Sequence, residues 1–238
     1  MEESFDRLLH VLDAPPSTTK TGPDYINSPE KRRWDLEICA ASRPLFTRLV
    51  VIGAGTMLLW DGKNPFFTQE RIGKDGKPFP LCKMRTMKSA RGMTASLGPS
   101  DPQAVPPGLF LRRRLIDELT QWWNVRRGQM SWCNARPLVR AEIFHDPVAL
   151  REDGRQLTMQ RVCGRRLFDR WWPAYTLGRP GLASTFKSEL FVPGTEEYMI
   201  ARAHANIEQA DTASPEQDRD LMLAMAYRTL SAMKEGFV

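Results

Sequence analysis

Histidine and cysteine are scarce in this chain of 238 residues, with three of the first and four of the second. Cys39, Cys82, Cys133 and Cys163 have no close neighbour of their own kind. That excludes a disulfide scaffold and the usual zinc spacings, and it fits a reducing compartment. His10, His145 and His204 are isolated and read as structural or surface residues. The first turns lack the cationic leader and apolar run of a signal peptide, and carry Glu2, Glu3 and Asp6 instead. Long apolar runs are missing too. The most apolar stretch without a charge, Leu49–Trp60, has 12 residues, or about 18 Å as a helix. A spanning helix needs about 20.

What is present is enough for a core. Apolar residues make up 42% and charged residues 26%, a globular balance rather than a disordered one. The length suits one domain with appendages. The net charge is +6. Cations gather at Lys31-Arg32-Arg33, at Arg112-Arg113-Arg114 and at Arg165-Arg166. A basic surface serves nucleic acid, anionic lipid or a phosphorylated substrate. The tryptophans argue against nucleic acid. Trp122 and Trp123 fall in an apolar pattern, and Trp171 and Trp172 precede Pro173, so they read as packing residues rather than stacking platforms.

Periodicity predicts a short helix over Ser4–Leu12, with Phe5, Leu8, Leu9 and Leu12 on one face. It reads better as a docking helix than as a membrane-surface one. Asp13–Glu30 reads as a linker. Leu49–Trp60 allows two readings: a buried core helix, or a re-entrant segment turned at Ser42-Arg43-Pro44, since Pro44 should break or kink a helix. Phe66–Thr68 and Phe79–Cys82 flank the turn signal Lys74-Asp75-Gly76-Lys77 and predict a hairpin. Ser89–Gly108 reads as a long functional loop. Leu109–Arg127 reads as one helix stopped by Gly128, and Met130–Pro137 as an extended or turning stretch. Arg179-Pro180-Gly181 marks a turn. Two further helices are expected, Thr195–Gln209 and Ser214–Glu235. The second opens with Ser214 as N-cap, Pro215 at its first position and Gln217 closing a capping box, and Gly236 stops it.

The chemistry gathers at Asp117 and Glu118. In a continuous helix Arg113 and Arg114 would lie one turn back on the face of Asp117. Such a pattern often means ion pairs on a solvated helix face. It equally suits a divalent metal and phosphate site, because Mg²⁺ uses one or two carboxylates plus substrate phosphates and arginine matches phosphate oxygens bidentately. A carboxylate can also act as nucleophile in acyl-phosphate chemistry.

A series of short motifs runs in order: Gln69-Glu70-Arg71-Ile72-Gly73-Lys74-Asp75-Gly76-Lys77-Pro78-Phe79, then Lys83-Met84-Arg85-Thr86-Met87, then Leu111-Arg112 with Asp117-Glu118-Leu119, then Asn124-Val125, Gly128, Met130-Ser131 and Arg136-Pro137. This order resembles the bacterial sugar transferases, the monotopic phosphoglycosyl transferases that pass a phosphosugar from a nucleotide sugar to a polyprenyl phosphate. Lys31-Arg32 with Asp35 resembles the family's entry to its membrane helix, and Ser42 to Pro44 its helix-breaking Ser-Pro. The resemblance departs at Asn134-Ala135, where Gly-Pro is usual, at Thr120, where proline is common, and at Leu182-Ala183-Ser184, where Thr-Gly is usual. Glu37, Arg43 and Arg48 add charges to the membrane segment, each costly at bilayer depth.

The resemblance implies a mechanism and a set of roles. Asp117 would attack the sugar-proximal phosphorus of a nucleotide diphosphate sugar, expected to be a UDP-sugar. Glu118 would help to hold Mg²⁺ and assist the lipid phosphate. Lys83, Arg85 and Arg112 would balance phosphate charge, with Arg136 and Pro137 near the nucleotide. It further implies an α+β, mainly helical fold: an N-terminal helix and linker over 1–30, a re-entrant or interfacial membrane helix over 31–62, and a catalytic domain with a short hairpin over 63–238. The expected setting is the cytoplasmic face of the inner membrane, on anionic lipid, without nucleic acid and as a homo-oligomer. The alternative is a non-catalytic relative that docks on membranes or partner proteins.

Overall fold

A computed structural model describes residues 2–87, 105–144 and 157–234. His145, Gly236 and most of the Ser89–Gly108 loop lie outside the described residues. Helix α1 (Glu2–Leu12) is followed by a short α2 (Gly22–Ile26) and by α3 (Pro29–Asp61), 33 residues long. The antiparallel hairpin β1 (Phe66–Ile72) and β2 (Pro78–Met84) comes next, paired from Phe66 opposite Met84 to Ile72 opposite Pro78. After α4 (Pro106–Arg113), a 3-10 turn over Ile116–Gln121 and α5 (Trp122–Arg126), the chain enters β3 (Ser131–Cys133). Then come α6 (Arg140–Ile143), α7 (Met159–Thr176), β4 (Gly181–Ala183), α8 (Glu196–Thr212) and α9 (Pro215–Lys234). Strands β3 and β4 pair in parallel. The chain is mainly helical with a small hairpin, as the sequence implied.

Helix α3 organises the molecule. Ser28 caps its start, accepting from the Lys31 N–H, and Gly62, at φ 68°, ends it. Its first half is buried: Trp34 and Ile38 pack with Leu8 and Leu12 of α1, Val125, Trp132 and Met222 of α9. Contrary to the sequence expectation, Pro44 does not end the helix. Its missing N–H costs one backbone bond. The helix runs on through packing on both sides, Cys39 and Ala41 before the proline and Phe46 and Leu49 after it. In the second half one side is closed and the other open. Met57 is fully buried against Met84 and Leu111. Val51, Ile52, Leu58 and Trp60 are exposed, and Leu59 is 90% exposed. The second half of α3 thus has one core face and one exposed apolar face. Although its charge-free stretch is short, the whole helix is long and apolar enough to cross a membrane.

The cationic cluster at the start of α3 is not the free patch that the sequence suggested. Lys31 is buried and paired with Asp218 of α9. Arg32 donates to the carbonyls of Val125 and Arg126, capping α5. Arg33 remains exposed beside Glu37. Around Lys31 a buried network closes. Tyr25 Oη donates to Asp218 at 3.0 Å, and Asp35 accepts from Ser131 Oγ and the Trp132 N–H at 3.0 Å each. Burial pushes the Asp218 carboxyl up, and Lys31 opposes that.

Other expectations need correction. Asp13–Glu30 is not simply a linker, because Tyr25 and Ile26 of α2 are buried against Ala210 and Ala213. Leu109–Arg127 is not one helix. Leu115 adopts φ 56°, a left-handed conformation that is rare for a bulky residue, and α4 stops there. Helix α7, with no signal read from the sequence, supplies Trp171 and Tyr175 to a second core beside Ile72 and Leu138. At the start of α9 Ser214 accepts from the Gln217 N–H, but the Gln217 amide turns to Thr212 instead of completing the box.

Asp218→Ala should cost about 3–5 kcal/mol of stability, since it leaves a buried ammonium unpaired. The double change Lys31→Met with Asp218→Leu should recover most of that. Denaturant unfolding of both variants checks it; equal losses in the two would mean that packing rather than charge sets the cost.

Candidate active site

The left-handed turn at Leu115 swings the chain across the hairpin. Ile116 and Leu119 drop into the apolar cluster with Met84 and Leu111. Thr120 Oγ1 donates to the Cys82 carbonyl at 3.0 Å and docks the turn on β2. Between these anchors Asp117 and Glu118 are held in a tight turn rather than on a helix face, and Asp117 is only 7% exposed.

The partners therefore differ from the expected ones. Arg113 is exposed, and Arg114 lies over the Phe110 ring at 3.8 Å. The cations that reach Glu118 come from distant segments. Lys83 on β2 donates to Glu118 Oε1 at 3.0 Å, and Arg136, just after β3, reaches both oxygens at 2.6 Å. Burial alone would raise the Glu118 pKa; Arg136 and Lys83 override it and hold the carboxylate well below its usual range. Glu118 in turn raises the pKa of Arg136. Asp117 behaves in the opposite way. Burial, with the neighbouring Glu118 charge, pushes it up to about 6, against the pull of Lys83 and Arg112. No salt bridge engages Asp117 among the described residues.

The remaining sequence candidates fall into two groups. Arg112 on α4 is part of the site: its Nη2 lies 3.4 Å from Met87 Sδ, and its buried Nη1 has no partner. Arg85 is committed elsewhere, gripping both oxygens of Asp61 at 2.7 and 2.8 Å and fastening the end of α3 to the hairpin. Pro137 supplies a carbonyl that Arg71 Nη1 reaches at 3.1 Å. Sequence reasoning missed the residues that position Arg136. Arg71 and Glu142 hold the segment after it, Tyr175 Oη bridges Leu138 N–H and the Ile72 carbonyl, and Arg202 of α8 donates to the Arg136 carbonyl at 3.1 Å. Arg71 stood inside a quoted motif, which was the one available signal.

The departures from the family pattern carry structural work. The Asn134 N–H bonds the Ala183 carbonyl and its side chain reaches the Arg179 carbonyl, while Ala135 accepts from the Gly181 N–H. A Cβ at Gly181 would come within 2.1 Å of Asn134 N, so only glycine permits this approach of β4. Glu118 and Arg136 also border a cavity of about 560 Å³ lined as well by α1, α3, α9 and the segment 182–189.

Residues 26–162 match the model of the bacterial sugar transferases, more than half of the chain. The chain belongs to that family. It is 28% identical over 225 residues to the UDP-glucose:undecaprenyl-phosphate glucose-1-phosphate transferase of Caulobacter vibrioides, covering 90% of this chain and 77% of that protein. It is 34% identical over 104 residues to the UDP-galactose-lipid carrier transferase of Erwinia amylovora, covering 37% of this chain and 22% of the relative. It is 28% identical over 143 residues to an exopolysaccharide production protein of Rhizobium meliloti, covering 52% and 63%. The chain spans less than two thirds of the length of most curated relatives it matches.

Glu118→Gln should weaken the clamp on Arg136 and Lys83 and lower stability by about 2 kcal/mol, the range of charge-assisted hydrogen bonds. It should also lower the Asp117 pKa, because the neighbouring charge that helps to raise it has gone. The fall should be partial, since burial is the larger cause. Carbon NMR titration of the Asp117 carboxyl reads this directly, and an unchanged midpoint would show the pair to be uncoupled.

Proposed function

We propose that the protein is a phosphoglycosyl transferase that passes a sugar 1-phosphate from a nucleotide diphosphate sugar, expected to be a UDP-sugar, to a polyprenyl phosphate. The supporting observation is the division of labour in the acid pair. Glu118 is neutralised by two cations, while Asp117 stays without an ion pair beside the unpartnered Arg112 nitrogen. The names of the relatives, which include UDP-glucose and undecaprenyl phosphate, point the same way.

The chemistry follows from that asymmetry. An Asp117 carboxylate oxygen attacks the sugar-proximal phosphorus. The bond from that phosphorus to the nucleotide's bridging oxygen breaks, and nucleoside monophosphate leaves with the electron pair. The product is a phosphosugar-aspartate. An oxygen of the polyprenyl phosphate then attacks the same phosphorus and releases the Asp117 carboxylate. Arg112, Lys83 and Arg136 offset the charge brought together in both steps, and such preorganised electrostatics supply most of the rate in phosphoryl transfer.

Mg²⁺ belongs to the same proposal. Among the described residues no group of three or more His, Cys, Asp or Glu side chains could hold a metal. Two adjacent carboxylates nevertheless fit the ion's habit of taking one or two carboxylates and completing its shell with phosphate oxygens and water. Asp117 is the freer of the two, and Glu118 would join by yielding an oxygen from its clamp. When bound, the ion would neutralise the donor diphosphate.

Asp117→Asn should reduce donor turnover by at least about a thousandfold, the scale of losing a covalent nucleophile, with the fold retained. Mass spectrometry of the wild type with donor alone should show a phosphosugar adduct at Asp117. The rate of adduct formation should fall as pH drops through about 6, because the attacking group is the anion and its raised pKa sets that limb. Chelator should suppress nucleoside monophosphate release. Near-normal turnover in the asparagine variant would remove Asp117 from this role.

The proposed setting is the cytoplasmic face of a membrane, entered by the open side of α3 without crossing. Gly53 cannot report on this, since a side chain there meets Met84 and Leu111. Leu59 can. With Cys82 and Cys163 replaced by serine, Leu59→Cys should react freely with a water-soluble thiol reagent in detergent-free buffer and be shielded when liposomes are added. Equal reactivity in both would refute lipid contact.

A further inference from the structure

The cavity bordered by Glu118 and Arg136 has a mixed lining. Most of it is apolar, including Phe5 and Leu8 of α1, Leu45 and Leu49 of α3, Met222 and Met225 of α9. The polar lining carries three cations, Arg136, Lys187 and Arg228, against two carboxylates, Glu118 and Glu189. Neither Lys187 nor Arg228 has an ion pair among the described residues. The α3 wall continues, one to three turns on, into the exposed apolar side at Val51, Ile52, Leu58 and Leu59. The volume, about 560 Å³, falls within the roughly 300–1,000 Å³ typical of ligand sites.

We infer that this cavity takes the phosphate-proximal isoprene units of the acceptor lipid, and that α1 and α9, both outside the family-matched segment, form its tail-binding walls. An apolar slot that borders the acid pair and carries three cations against two carboxylates suits a long hydrocarbon with an anionic head. A nucleotide sugar is polar along its whole length and would give up its hydration against these walls without return. The apolar side of α3 offers the chain a continuous path from lipid to site. The inference deepens the phosphoglycosyl reading and rests on it for the identity of the lipid. Binding of an anionic isoprenoid to these walls is a separate observable.

Two measurements test it on the full chain. Undecaprenyl phosphate carrying a diazirine in a phosphate-proximal isoprene unit is photolysed with the wild type in the absence of donor. Adducts on peptides from residues 2–12 and 215–234 are expected; adducts confined to 51–60 would overturn the inference. Ala226 lines the cavity, and Ala226→Trp should fill it. This change should raise the acceptor KM about tenfold, the worth of one or two buried methylenes. Nucleoside monophosphate release from donor alone should be unchanged. A folded variant with normal acceptor KM would also overturn the inference, and if the variant does not fold the photolysis result decides. Labelling of the two helices without any sugar transfer would sink the phosphoglycosyl reading while leaving the lipid pocket standing.

Discussion

The clamp on Glu118 is the constraint around which the site is arranged. One carboxylate draws Lys83 from β2 and Arg136 from the segment after β3, and it is carried on a turn fixed by a left-handed leucine. Three segments far apart in sequence are tied by two ion pairs in partly buried surroundings, where Coulomb attraction is stronger than in water. The same clamp creates the contrast inside the acid pair. With Glu118 held ionised, its charge and the surrounding apolar packing make ionisation of Asp117 harder. Two neighbouring carboxyls thereby acquire opposite tendencies, the arrangement by which one site separates a charged holder from a reacting group.

Support for the clamp reaches outward in layers. Arg136 is steadied through its own carbonyl by Arg202, and the following segment through Arg71, Glu142 and Tyr175. The parallel pair β3–β4 sets where this segment begins, and Asn134 joins the two strands with backbone and side chain together. Where the sequence departs from the family pattern, the side chains of Asn134 and Thr120 and the backbone of Asn134 and Ala135 make hydrogen bonds.

Much of this was legible in the sequence where the signal was local. The hairpin followed from a glycine turn between two β-prone runs, and the α8 and α9 helices from their caps and periodicity. The acid pair and the cations Lys83, Arg112 and Arg136 followed from ordered motifs. What the sequence concealed depended on distant partners. The period of Leu109–Arg127 is helical, yet docking of Thr120 on Cys82 and burial of Ile116 and Leu119 favour a broken path. Pro44 signals a break, yet α3 continues through it with packing on both sides. Lys31 sits in a run of cations that looks solvated, and only Asp218, 187 residues further on, explains its burial. Arg85 was expected beside phosphate, and nothing nearby in sequence shows that Asp61 grips it.

The bond between Lys31 and Asp218 has a consequence for modularity. The family-matched segment ends at residue 162, but the ammonium near its start is neutralised by a carboxylate on the last described helix. The matched segment alone would hold a cation in its interior without the Asp218 counter-charge, alongside a cysteine that also leans on α9. The charge balance of the matched segment thus depends on α9, so a graft of residues 26–162 onto another protein would carry a buried cation without its partner.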